Sequence, residues 1–179
     1  MRTGDVDLWA CDEVHFQQHG SRCRMWIPPE VEEPILLHYP TRRSVGYFGA
    51  VRLRDGKLVF RRESESFNAA TFFEFLRSLK QVTRRFRLPA VVITDNAKYH
   101  HAVLHKDWRV RNAESLRLDF LPPYSPELNP IERVWKLTRR LCLHNRYFDS
   151  LEGVVKSVEN QFAQWASPNE DLRRLCAIT

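Results

Sequence analysis

The spacing of apolar residues changes period partway along the chain, and the change divides it into a strand-rich first third and an alternating remainder. Asp7 to Cys11 is a short apolar run ending in Asp12 and Glu13, which predicts a buried strand that terminates in acids. The polar stretch Gln17 to Arg24 predicts a loop. Ile35 to His38 and Ser44 to Arg54 are rich in Val, Tyr, Phe and Leu, and Lys57 to Phe60 is apolar again. Between the last two lies Asp55-Gly56, a strong local signal for a hairpin. The first third therefore predicts antiparallel strands.

From Asn68, a good N-cap, apolar residues fall at Phe72, Phe75, Leu76, Leu79, Val82 and Phe86, one face of a helix leading to Pro89. Ala90 to Thr94 is continuously apolar but too short for a helix, so it predicts a fully buried strand, and it ends at Asp95. A weaker helix is expected over Tyr99 to Arg109 and a strand over Leu116 to Leu121. Two helices follow, roughly Pro130 to His144 and Leu151 to Trp165, the second with a stripe of Leu151, Val154, Val155, Val158, Phe162 and Trp165. This order predicts an α/β layer architecture with a mixed sheet, parallel where crossover helices intervene. Sites in such sheets form outside the carboxyl ends of the parallel strands. If the strands ending at Asp12 and Asp95 are parallel neighbours, their terminal carboxylates meet.

Composition narrows the class. A chain of 179 residues, 43% hydrophobic, supports one domain with a real core. The net charge of +6 and sequence pI of about 9.4 suit a polyanionic partner, and equally a solvated basic surface. No apolar run reaches transmembrane length and no signal segment opens the chain, which predicts a soluble, intracellular protein with no membrane partner. Cys11, Cys23, Cys142 and Cys176 form no C-x-x-C pair, so reduced thiols are expected. His15, His19 and Cys23 recur at zinc-compatible steps, but Gly20 and Ser21 interrupt any helix there. His101 and His105 meet the same objection.

The stretch LPPYSPELNPIERVW, Leu121 to Trp135, concentrates Pro122, Pro123, Pro126 and Pro130 into a stiff loop that delivers Glu132 into the first turn of a helix. Asn129-Pro130-Ile131-Glu132 reads as a capping box, which by itself requires no function. Asp95-Asn96-Ala97 likewise reads as an Asx turn, and Asp12-Glu13 as a polar strand end. Three acids at three element junctions on one sheet edge carry more weight together. Clustered carboxylates repel unless cations neutralise them, and oxygen ligands without cysteine favour Mg²⁺, with Mn²⁺ as a substitute and two ions expected. Such a pair of ions serves an in-line displacement at phosphorus.

WACDEVHF, TDNAKYH and LPPYSPELNPIERVW resemble the three signature blocks of mariner-type transposases and their bacterial insertion-sequence relatives, the DDE superfamily endonucleases. The resemblance implies a ribonuclease-H-like fold, a mixed five-stranded sheet flanked by helices, spanning residues 1–179 as one catalytic domain. It implies a catalytic and metal-binding triad of Asp12, Asp95 and Glu132, with 36 residues between the last two. It also implies metal-dependent cleavage of DNA at transposon ends and transfer of the 3′-hydroxyl into target DNA, at TA in this family. Asn96 and His100 match the family's second block and are expected to shape the site or touch DNA. Glu13 follows the first aspartate, but strand alternation turns it to the other face, so it is not expected to be a ligand. Asn129 and Pro130 are expected to position Glu132, and Trp135 to pack in the core with Val134 and Leu141. Arg133, Lys136, Arg139 and Arg140 are expected to hold phosphates beside Glu132. Arg84, Arg85 and Arg87 form a second basic cluster and Arg61 and Arg62 a third, with aromatic neighbours able to stack on frayed bases.

Family members carry a helix-turn-helix before the catalytic domain, and nothing here reads as one. That predicts a catalytic domain whose DNA-end recognition is absent or arrives on a separately encoded helix-turn-helix half. A homodimer on DNA and a cytoplasmic location, at the bacterial nucleoid when bound, follow from the same resemblance. A repurposed, catalytically silent domain of the same fold, binding nucleic acid or protein, is the competing reading.

Overall fold

The computed structural model describes residues 6–24, 26–31, 35, 37, 41–64, 66–86 and 88–178. Five strands, β1 (Asp7–Gln17), β2 (Ser44–Arg52), β3 (Leu58–Glu63), β4 (Ala90–Thr94) and β5 (Leu116–Phe120), form one mixed sheet in the order β3-β2-β1-β4-β5. β1 pairs antiparallel with β2, β2 with β3 likewise, and β1–β4 and β4–β5 are parallel. Gly56, at φ 71°, makes the predicted hairpin turn, and an added Cβ there would meet the Asn169 carbonyl at 2.1 Å. The expected strand over 35–38 is not one at Ile35 or Leu37, and residues 36 and 38 lie outside the described residues.

Among the described residues, five α-helices cover the sheet: α1 (Ala69–Thr83), α2 (Lys106–Asn112), α3 (Ile131–Cys142), α4 (Leu151–Trp165) and α5 (Glu170–Leu175). Asn68 caps α1 with its side chain and Thr71 completes the capping box. The weaker helix expected over 99–109 is instead two short 3₁₀ turns (Lys98–His101 and Val103–His105) running into α2, because Ala97 and Ala102 adopt extended ψ values on either side of the first turn. Helix α5 lies beyond the two closing helices that the apolar pattern predicts. Asn169 caps it, and Glu170 opens it while holding Arg173 and Arg174.

Strand alternation distributes the core to two faces. Ala10, Val14, Phe16, Tyr47 and Val51 pack with Ile131, Val134, Trp135, Val158 and Phe162 of α3 and α4. Trp9, Cys11, Phe48 and Ala50 pack on the other face with Phe72, Phe75, Leu76 and Leu79 of α1. Trp135 and Val134 are buried as expected, but Leu141, in the last turn of α3, is 39% exposed. Among the described residues no helix is long and apolar enough to cross a membrane.

Candidate active site

β1 is longer than its apolar core implied. Parallel pairing with β4 stops at Ala10↔Ile93, but antiparallel pairing with β2 continues through Asp12↔Gly49 to Gln17↔Ser44. Asp12 therefore sits within a strand, at the point where the β4 side of that strand becomes open. β4 ends at Thr94, and Asp95 follows immediately. The two acids face each other across this open edge, as the parallel-neighbour argument requires.

Asp12 shares its face of β1 with Ala10 and Val14, toward α3. Its Oδ2 accepts a hydrogen bond from Trp135 Nε1 at 3.2 Å. That contact depends on Gly49, the residue paired with Asp12, since a Cβ at Gly49 would fall 2.3 Å from the Trp135 ring. Burial first, and then the charges of Glu13 and Glu132, push the Asp12 carboxyl up to about 8.

Asp95 is fixed from two sides. Its Oδ1 accepts from the Ala97 amide at 3.1 Å, the predicted Asx turn, and lies 2.9 Å from His100 Nδ1. His100 is 1% exposed, packs 4.2 Å from the Phe72 ring, and is held below its ordinary pKa chiefly by burial. It therefore meets Asp95 from within the core. Asn96 donates to the Leu121 carbonyl, joining the end of β4 to the start of the proline loop.

Glu132 enters from α3, but its helix starts differently from the capping box read in the sequence. Pro130 occupies the N-cap position with no side-chain cap, and Asn129 points away from the helix. The Asn129 side chain is buried and donates from Nδ2 to the Cys11 carbonyl at 3.0 Å. This bond ties the loop to the strand one residue before Asp12. The side chain read as a local cap thus makes a long-range bond instead, three residues before Glu132.

Asp12, Asp95, Asn96, Asn129 and Glu132 line one cleft of about 400 Å³, walled by Pro122, Pro123 and Pro126. Tyr124 stands fully exposed at its rim with φ 57°, a left-handed backbone uncommon for a non-glycine residue. Glu13 departs from expectation. Alternation does send it to the other face, beside the Tyr99 hydroxyl, yet Asp12, Glu13 and Asp95 each offer an oxygen within 4.8 Å of the others'. Because β4 has ended, both β1 side chains reach the same open edge, and sequence alternation alone could not reveal where β4 stops.

The cleft's donor set suits a hard divalent cation. It consists of oxygens, Glu13 Oε2 and Asn129 Oδ1 are buried with no hydrogen-bond partner, and among the described residues no Lys or Arg forms an ion pair with Asp12, Glu13 or Glu132.

The basic residues of α3 lie elsewhere. Arg133 donates from Nη1 to the Leu175 and Ala177 carbonyls at 3.0 and 2.9 Å. Lys136 and Arg140 share a depression with Arg133 and Leu175, and Arg139 lies 5.6 Å over the Phe16 ring. None of the four lines the acid cleft. Of the other basic clusters, Arg61 pairs with Glu63 and Glu74 and Arg62 with Glu159, while Arg87 lies outside the described residues. The zinc-like spacing is not used as a cluster of three: Cys23 Sγ lies 3.1 Å from His144 Nδ1, His105 contacts the Tyr99 carbonyl, and His101 stacks on Phe120.

A mixed five-stranded sheet with helices on both faces and acids at this edge is the ribonuclease-H-like fold of transposases and integrases. The chain belongs to the DDE superfamily endonucleases, whose family pattern it matches over residues 7–155. It is 39% identical over 66 residues to the uncharacterized protein y4pE/y4sA of Sinorhizobium fredii (strain NBRC 101917 / NGR234), covering 37% of this chain and 45% of that protein. It is 28% identical over 164 residues to the insertion element IS630 uncharacterized 39 kDa protein of Shigella sonnei, covering 92% of this chain and 43% of that one. The chain thus spans less than half the length of these curated relatives. Its fold matches the catalytic domain of Mos1 mariner transposase, with TM-score 0.66 and 18% identity over 98% of this chain and 78% of that one. It also matches Mos1 in its strand transfer complex, with TM-score 0.69 and 20% identity over 98% and 52%. Mos1 paired end complexes with Mn and with Mg share this fold.

Proposed function

We propose that the cleft is a divalent-metal-dependent site that cuts DNA at transposon ends and joins the freed 3′-hydroxyl to target DNA, with Asp12, Asp95 and Glu132 as its catalytic ligands. The observation that carries this reading is the convergence of three acids from β1, the end of β4 and the start of α3 on one cleft, where among the described residues no Lys or Arg forms an ion pair with them. Mg²⁺, with Mn²⁺ as a substitute and two ions to the site, would lower the pKa of the attacking water or 3′-hydroxyl and offset charge on the departing oxygen.

The chain's own residues supply geometry. The β1–β2 ladder and Trp135 fix Asp12, His100 and the Ala97 amide fix Asp95, and Asn129 fixes the start of the Glu132 helix. Pro122, Pro123 and Pro126 wall one side of the cleft, and Tyr124 presents a ring at its rim for an unpaired base. TA is the favoured target, because that step kinks readily and lets a scissile phosphate reach a recessed site. Cutting and joining two ends places two copies of the chain on DNA, as in the paired-end complexes of Mos1.

The test is cleavage and strand transfer on a pre-nicked transposon end in Mg²⁺ or Mn²⁺, comparing the native chain with Glu132→Gln. The variant is expected to lose both activities while keeping its fold. Equal activity in the two would sink the triad assignment.

A further inference from the structure

One cavity lies far from the acids. It encloses about 700 Å³ beside the amino ends of β4 and β5, where Pro89 precedes Ala90 and Ser115 precedes Leu116. The acid cleft lies at the opposite, carboxyl end of β4. One wall is the last two turns of α1, where Arg77, Lys80 and Arg84 recur at helical spacing and so share a face. The facing wall carries Trp108 of α2, whose ring is half-buried with one edge against Phe73.

The charges of this pocket are left unbalanced. Among the described residues none of Arg77, Lys80 and Arg84 forms an ion pair, and the one carboxylate in the lining is Glu114. Lys80 turns across the pocket to the Ser115 hydroxyl. Its ammonium is held below its ordinary pKa by burial and by the neighbouring Arg84 charge. Three like charges gathered on one wall favour an anion with several acceptor oxygens. An aromatic wall beside them favours a planar ring attached to that anion.

We propose that this pocket is a second nucleic-acid site, which takes a single unstacked nucleotide with its phosphate on Arg77, Lys80 and Arg84 and its base against Trp108. The inference does not depend on the acid cleft cutting DNA, since it rests on different residues at the other end of the sheet. It gives the chain a hold on a strand end or unpaired segment separate from the cleft. The same chemistry would accept a free nucleotide, and the test distinguishes the two sources.

The probe is a short single-stranded oligonucleotide carrying a 5′-phosphate and one 5-iodouracil. It is irradiated with the full chain, and the crosslinked peptide is identified by mass spectrometry. Asp12→Asn and the native chain serve as parallel backgrounds, so a result at the second pocket is read independently of the cleft. The crosslink is expected on the peptide carrying Trp108. It should be lost in Arg77→Glu/Arg84→Glu, whose side chains are exposed and whose fold is checked by circular dichroism. Trp108→Leu should weaken oligonucleotide binding about tenfold, the cost of one lost base–aromatic stack. Competition by a nucleoside monophosphate would assign the site to free nucleotides, and competition only by oligonucleotide to a strand. The proposal is overturned if inorganic phosphate competes as well as the nucleotide, if the crosslink falls only on cleft residues, or if charge reversal leaves it unchanged.

Discussion

Replacing Asp12 by asparagine should make the metal-free protein more stable. The carboxyl has an ordinary value of 3.8 and is pushed up to about 8 in the fold, by burial first and by Glu13 and Glu132 next. An acid whose folded value is raised contributes most stability when it is protonated in both states, below about pH 4. That contribution is lost progressively as pH rises toward 8, because the unfolded chain releases the proton and the folded chain does not. At pH 7 the loss is on the order of 4 kcal/mol if the whole shift is intrinsic to Asp12, and about half that if the neighbouring acids share it. Asparagine has nearly the same shape, keeps an oxygen for the Trp135 indole, and carries no charge to bury. Urea unfolding in EDTA should therefore show Asp12→Asn more stable than the native chain by about 2 kcal/mol or more at pH 7, the gap closing near pH 4. Adding Mg²⁺ or Mn²⁺ should stabilise the native chain and leave the variant unchanged. A variant that is no more stable at pH 7, with an unaltered pH profile, would refute the electrostatic account of the cleft.

Three further outcomes follow from the same geometry. Asn129→Ala removes the bond to the Cys11 carbonyl and should cost about 1–3 kcal/mol in urea unfolding, together with a loss of cleavage rate at saturating metal. Gly49→Ala drives a methyl group into the Trp135 ring, so it should destabilise by about 1–3 kcal/mol and lower cleavage by displacing the indole from Asp12. Arg133→Ala frees the Leu175 and Ala177 carbonyls and should loosen the carboxyl-terminal segment in hydrogen exchange. It should leave the salt dependence of DNA binding unchanged, whereas a lost phosphate contact would lower that slope by about one.

The parts of this molecule legible in its sequence are those governed by local chemistry. The acids at Asp12 and Asp95, the proline loop, the Asp55-Gly56 hairpin and the α1 stripe all announce themselves through turn residues and periodicity. What the sequence conceals depends on where an element stops or on which distant group finds it. Glu13 joins the acid cluster because β4 ends at Thr94 and leaves the β1 edge open. Asn129 carries the pattern of a local cap but spends its amide on a strand 118 residues away. Arg133 looks like a free basic residue until α5 brings two carbonyls to it, and α5 is too short to show a stripe. His100 matched a motif, but its burial against Phe72 and its contact with Asp95 show only in the fold.

The position of β1 between an antiparallel and a parallel partner also sets when the cleft comes into being. The β2–β3 hairpin closes over a handful of residues, but the β1–β4 pairing joins Asp7 to Ala90, and α3 must then return to β1 from still farther along the chain. Contacts of such sequence separation form late, since loop closure has to precede any gain from them. A chain emerging from the ribosome therefore carries its acids as scattered, weakly interacting carboxylates until α3 has been made. The full acid set gathers only once α3 has returned to β1, so a chain short of that contact does not present the complete cleft.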